Sequence, residues 1–151
     1  MKDEEIGIRS ATFDDAEALA RLAGELGYPS SADETVQRIG RLMAAPGNSV
    51  LVAESPDGRV VGWAHVFGAA RVESDGFAEL GGLVVEDDLR GRGIGTRLVA
   101  AAESWALDNG YRCLRIRSRA ERNDTHRFFE GLGYGCSKTQ RVFDRSLSVE
   151  R

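Results

Sequence analysis

Across residues 83–96 an apolar run, Leu83-Val84-Val85, leads through Glu86-Asp87-Asp88-Leu89 into Arg90-Gly91-Arg92-Gly93-Ile94-Gly95-Thr96. Helical periodicity follows at Ile94, Leu98, Ala101 and Trp105. A strand, a glycine-rich turn and a helix in that order make a site for an anion. Glycines let backbone N–H groups come close to phosphate oxygens, the helix N-terminus adds about half a positive charge, and Arg90 and Arg92 add whole ones. A pyrophosphate suits such a turn. Two familiar phosphate loops do not fit: Thr96 stands where GxGxxG needs its last glycine, and Gly95-Thr96-Arg97 lacks the Lys-Ser/Thr of a Walker loop.

Charge divides along the chain in a way that suits an anionic ligand on one side. Residues 1–88 hold 7 Lys/Arg against 17 Asp/Glu, a net of −10, whereas residues 89–145 hold 12 against 6, a net of +6. The basic half can hold an anionic cofactor and the acidic half can draw in a cationic substrate. The overall charge of −4 makes nucleic acid a poor partner. Cys113 and Cys136 have no CxxC spacing and only His65 and His126 accompany them, so no metal cluster is assembled by recognised spacing; both read as buried, reduced thiols.

The elements that must carry this turn are readable in order. Residues 6–9 predict a first strand. Thr12 predicts a helix cap ahead of the stripe Ala16, Leu19, Ala23 and Leu26. Ser31 with Glu34 has the spacing of a capping box, and Val36, Ile39 and Met43 continue a second helix up to Pro46-Gly47. Residues 48–54 and 60–67 predict a hairpin closed by Ser55-Pro56-Asp57-Gly58-Arg59, and residues 77–85 a further strand. After the third helix, ending near Asn109-Gly110, the sheet is expected to re-enter at Tyr111, with Leu114, Ile116 and Ser118 alternating with Arg115, Arg117 and Arg119. Asn123 is expected to cap a fourth helix through Leu132, and the tail to Leu147 to supply final strands.

The order βααβββαβαβ predicts an α/β fold of the α+β kind, a central twisted mixed sheet flanked by four helices, in a single domain over residues 1–151. The charged start, Met1-Lys2-Asp3-Glu4-Glu5, and the lack of an apolar run near the roughly 18 residues of a membrane span predict a cytoplasmic protein without membrane contact.

Arg90-x-x-Gly93-x-Gly95, between strand and amphipathic helix, resembles motif A of the GNAT superfamily of N-acetyltransferases, R/Q-x-x-G-x-G/A. Asn123-Asp124-Thr125-His126-Arg127-Phe128-Phe129-Glu130-Gly131-Leu132-Gly133-Tyr134 resembles the family's second signature, N-x-x-A-x-x-F-Y-x-x-x-G-F/Y, and the element order matches the family fold over nearly the whole chain. The resemblance implies acetyl-CoA as co-substrate and direct attack of a primary amine, of a small molecule or a peptide, on the thioester. It also implies that Leu83, Val84 and Val85 bind the pantetheine arm, that Arg90, Gly91, Arg92, Gly93, Ile94, Gly95 and Thr96 bind the pyrophosphate, and that Asn123 lies near the cofactor. A homodimer is compatible with it.

Within the resemblance, Phe129 occupies the position where many members have a tyrosine proposed to protonate the leaving thiolate. Phenylalanine has no proton to give, so its expected role is packing and contact with the cofactor. Tyr134, Tyr111 and Ser118 remain as hydroxyl candidates, Tyr134 being better explained as core. An alkylamine with a pKa near 10.4 arrives protonated at pH 7 and must lose a proton before attack. Glu79, on the strand that leads to the glycine turn, is the candidate general base, and Gly81-Gly82 is a place for a strand distortion whose free N–H groups serve an oxyanion. Substrate contacts are expected from Gly27-Tyr28-Pro29-Ser30-Ser31 and from the 70–76 loop with Glu73 and Asp75. A noncatalytic acyl-CoA-binding or regulatory module is the alternative that Phe129 raises.

Overall fold

The computed structural model describes residues 5–25, 27 and 30–148. The start through Glu4, and Leu26, Tyr28 and Pro29 in the first helical stripe and the expected substrate loop, lie outside the described residues. The chain forms two compact units, one ending at Arg117 and the other beginning at Ser118.

The first unit is built on five strands in sequence order: β1 (Gly7–Ser10), β2 (Asn48–Glu54), β3 (Val60–Ala69), β4 (Phe77–Val85) and β5 (Leu114–Ile116). β1 to β4 pair antiparallel and β5 joins β4 in parallel, so the sheet is mixed as expected. The β2–β3 turn closes as its Pro and Gly suggest: Ser55 N–H donates to Arg59 O at 2.9 Å, and Gly58 sits at φ +86°, where a glycine avoids the Cβ clash.

Helix α1 (Ala16–Glu25) is preceded by a 3-10 turn, Phe13–Asp15. Thr12 caps that turn with Asp15 rather than α1 directly. Ala16, Leu19, Ala20 and Leu22 form its buried face; Ala23, expected in the stripe, is only half-buried. Helix α2 (Ala32–Ala44) carries the Ser31/Glu34 capping box in both directions, Glu34 N–H to Ser31 Oγ at 3.1 Å and Ser31 N–H to Glu34 Oε1 at 3.0 Å. It buries Thr35 and Ile39, while Val36 and Met43 of the expected stripe are exposed. Helix α3 (Ile94–Asp108) buries Ile94, Leu98, Val99, Ala102 and Ala106; its seam runs one position beyond the expected Ala101 and Trp105, which are half-buried.

Alternation along β3 assigns the two faces. A Cβ on Gly62 would meet Leu98 and Ile94, so Gly62, Ala64 and Val66 face α3. Trp63 packs with Leu19, Leu22 and Ile39, so Trp63, His65 and Phe67 share the face covered by α1 and α2. Full burial of Leu22 and Leu98 on these two faces contributes on the order of 1.5–3 kcal/mol each.

Two further expectations fail. The sheet does not re-enter at Tyr111: β5 has three residues, and its ladder with Ala78, Glu79 and Leu80 stops immediately before Gly81. Cys113 and Cys136 are exposed rather than buried.

In the second unit, α4 spans Asn123–Gly131, with Arg122 rather than Asn123 at its N-cap and no side-chain capping bond. Phe129 packs edge-on against Phe128 at 5.0 Å and Tyr134 at 5.9 Å between ring centroids. Residues 135–148 form no strand, so the final strands expected there are absent among the described residues.

Candidate active site

Strand β4 carries Glu79, the Gly81-Gly82 pair and Leu83, Val84 and Val85 among the candidate residues of the first unit. Its pairing with β3 runs Phe67 to Glu79 and Val66 to Leu80, then His65 to Gly82, which leaves Gly81 as an extra residue without a partner. That is a β-bulge at the glycine pair, where a distortion was expected, now placed at Gly81. A bulge frees backbone groups from the ladder and bends its strand. A side chain would be crowded at the bulge residue and at the residue after it. A Cβ on Gly81 would lie 3.0 Å from both His65 Nδ1 and Phe67 Cε1, and one on Gly82 would lie 2.8 Å from Trp63 Cζ3.

Glu79, the candidate base, lies across from Phe67 on the face covered by α1 and α2. Its Oε1 accepts from Arg117 Nε at 3.0 Å. Arg117 had entered the sequence reading only as a residue of the alternating run. The second group on this face went unnoticed as chemistry. His65 Nε2 meets Asn48 Oδ1 at 3.0 Å, its ring stacks on Phe67 at 5.3 Å between centroids, and burial pushes its pKa below the ordinary histidine value. Asn48 and His65 are 17 residues apart, on neighbouring strands, so only the hairpin register brings them together.

Beyond the bulge, β4 runs through Leu83, Val84 and Val85 to Glu86 and the 3-10 turn Asp87–Leu89. Glu86 holds the turn to the body of the unit. It accepts from Arg21 Nη1 at 2.7 Å and from Arg59, and although burial alone would raise its pKa, the two guanidiniums hold it below the ordinary carboxylate value. The chain then passes Arg90, Gly91 and Arg92 to Gly93, the N-cap of α3, with Gly91 at φ +79° and Gly93 at φ +84°. Gly93 supplies no side-chain cap, and the first turn of α3 has no acidic residue. The leading N–H groups, from Ile94 through Thr96, thus reach the helix end with no side chain capping them, and no heavy atom lies within 4 Å of where a Cβ of Gly91 or Gly93 would be. An uncapped helix end beside two left-handed glycines and two arginines fits a pyrophosphate. Arg90 is braced by Asp87 at 2.8 Å, with the side chains of both exposed.

The first unit therefore brings Glu79, Leu83, Val84, Val85 and the 90–96 turn onto one strand–turn–helix segment. Asn123 and Phe129 belong to the second unit, Asn123 as the first residue of α4 and exposed, Phe129 half-buried among aromatic rings. Glu73 and Asp75 are exposed on the 70–76 loop. No group of three or more His, Cys, Asp or Glu that could hold a metal occurs among the described residues, and no described helix is long and apolar enough to cross a membrane.

Residues 14–134 match the Acetyltransferase (GNAT) family. The chain is 33% identical to the aminoglycoside N(6')-acetyltransferase type 1 of Stenotrophomonas maltophilia, over 95% of this chain and 94% of that one. Among solved structures, the aminoglycoside antibiotic 6'-N-acetyltransferase AAC(6')-Ih from Acinetobacter baumannii superposes with a TM-score of 0.82 at 18% identity, covering 95% of this chain and 99% of its own. AAC(6')-Iy, in complex with the bisubstrate analogue CoA-S-monomethyl-acetylneamine, gives 0.83 at 20% identity, covering 94% and 99%. The motif around Gly93, the mixed sheet and these matches converge: the chain belongs to the GNAT acetyltransferase family and is an N-acetyltransferase that uses acetyl-CoA as co-substrate.

Proposed function

We propose that this enzyme acetylates a primary amine of a small cationic molecule, with the 6'-amino group of an aminoglycoside as the leading case, in one functional domain over residues 1–151. The observation that carries the reading is the continuity of β4. One strand presents Glu79 on the face covered by α1 and α2, breaks its ladder at Gly81, and continues through the 86–93 turn to the α3 terminus, which no side chain caps. The 33% identity over 95% of the chain to an aminoglycoside N(6')-acetyltransferase supports the substrate class. So does the net charge of −10 on residues 1–88, because an aminoglycoside is a polycation.

When bound, acetyl-CoA supplies an activated acyl group with a thiol leaving group. Arg90, Arg92 and the N–H groups of residues 94–96 hold its pyrophosphate, and the backbone of Leu83, Val84 and Val85 lines its arm. Freed backbone N–H groups at the Gly81 bulge stabilise the developing oxyanion, work that can be worth 2.7–4 kcal/mol per donor by order of magnitude. Glu79 receives the ammonium group. For Asn123 and Phe129 as cofactor neighbours the support is the family signature alone.

The experiment is thiol release from acetyl-CoA over a panel of amines, pairing aminoglycosides that carry a 6'-amine with those that carry a 6'-hydroxyl. Release confined to the 6'-amines supports the reading. Equal release with both, or release only with peptide N-termini, overturns the substrate class.

A further inference from the structure

We propose that His65 is the proton acceptor for the attacking amine and that Asn48 positions it, an inference that rests on the acetyl transfer proposed above. Asn48 Nδ2 donates to Ala45 O at 3.5 Å, which orients the amide so that Oδ1 faces His65. An oxygen facing Nε2 at 3.0 Å requires the proton on Nε2, and Nδ1 is then left with its lone pair. Nδ1 has no hydrogen-bond partner among the described residues. It lies 3.0 Å from where a Cβ of Gly81 would be, directly over the bulge.

The surroundings keep the ring neutral. Burial is what lowers its pKa, and no neighbouring charge contributes. Its flanking residues in the sheet, Val50 on β2 and Gly82 on β4, are uncharged. The charged groups that the sheet places on this face include Glu79, across from Phe67 and bonded to Arg117, and Arg9, across from Val52 and paired with Asp15 and Glu54. No charged group of α1 or α2 hydrogen-bonds to His65 or shifts its pKa among the described residues.

The step balances with solvent as the final proton sink. An ammonium N–H proton passes to Nδ1, and the freed nitrogen pair forms the C–N bond at the carbonyl carbon as the C=O pair moves onto oxygen. The carbonyl then re-forms, the C–S pair leaves on sulfur, the proton on Nδ1 passes to that sulfur, and the second proton that the nitrogen must lose passes to solvent. One imidazole thus serves as base and then acid, so the transfer needs no hydroxyl of the kind that many family members place where this chain has Phe129.

Three measurements test this. His65→Gln should lower kcat by tenfold to a thousandfold and leave acetyl-CoA affinity within about twofold, the loss expected of a general base. Asn48→Asp should move the acidic limb of the kcat/KM profile to higher pH, since a carboxylate beside the ring favours imidazolium. In the parent, 15N NMR of the His65 imidazole at neutral pH should show Nε2 protonated and Nδ1 bare. A proton on Nδ1, an unmoved limb in Asn48→Asp, or parental turnover in His65→Gln overturns the assignment. A parent that releases thiol with no amine sinks the proposed function instead, and the tautomer measurement still decides whether Nδ1 carries the free pair.

Discussion

Arg117 Nε donates to Glu79 Oε1 at 3.0 Å, from just past β5 to the middle of β4, so the candidate carboxylate is held beside the bulge before any amine arrives. If Glu79 receives the ammonium while His65 takes the proton, Glu79→Gln should raise KM for the amine by roughly tenfold to a hundredfold, the loss of a charge-assisted hydrogen bond. Acetyl-CoA affinity should not change. Steady-state kinetics with both substrates varied checks this; a fall in kcat at constant KM would return the proton-accepting role to Glu79.

Gly93 caps α3 at φ +84°, and the space its side chain would enter is open in the protein. Gly93→Val should therefore cost about 1–2 kcal/mol through backbone strain and also fill the position a phosphate would take. Thermal unfolding of the parent should shift upward with acetyl-CoA by mass action, and the shift should vanish in the variant. A folded Gly93→Val protein with the parental shift would remove the pyrophosphate site from this turn.

Asp15 is buried and accepts two bonds from the Arg9 guanidinium, at 2.8 and 2.9 Å, and one from Thr12 N–H at 2.8 Å. The Arg9 bonds chiefly hold its pKa below the ordinary 3.8, against the effect of burial. A depressed carboxylate contributes its stability above its unfolded value and loses it as pH falls through the lower folded one. Asp15→Asn should thus cost about 1.5–3 kcal/mol above roughly pH 5, with the gap to the parent closing in more acidic solution. Urea unfolding across pH measures it; a gap that persists at the acid end would point to lost packing instead.

Phe129 touches two rings and is half-buried. Phe129→Ala should cost on the order of 2–3 kcal/mol, below the full-burial range of 3–5. Phe129→Tyr should leave the rate of thiol release within about twofold. A clear gain in rate would show that a hydroxyl at this position assists thiolate departure better than the imidazole does.

The parts legible in the sequence were those set by local chemistry. The Ser31/Glu34 box, the turn at Gly58, strand β4 and the glycine turn into α3 depend on residues within a few positions of one another, and each formed where its pattern placed it. What depended on distant partners was not legible. Leu114 to Arg119 alternate as a strand should, but pairing ends at Ile116 because β4 bulges at the next position. The exposed Val36 and Met43 fit helical spacing, yet the surface that α2 packs against decides which side is buried. His65 and Asn48 meet only through the β2–β3 register, and neither residue type nor spacing announces the pair.

The extra residue at Gly81 reverses the parity of β4. Glu79 and Gly82, three positions apart, point to the same side, whereas in an uninterrupted strand they would point to opposite ones. The strand is therefore two half-strands of opposite phase joined at one glycine. Deleting position 81 would leave Glu79, Gly82 and Val84 on their present side in regular alternation, so the extra residue supplies not orientation but backbone groups outside the ladder, and its loss would return them to pairing. Relatives that keep this chemistry should differ in length at the loops around residues 56 and 73 and keep the count between Glu79 and Gly93 constant.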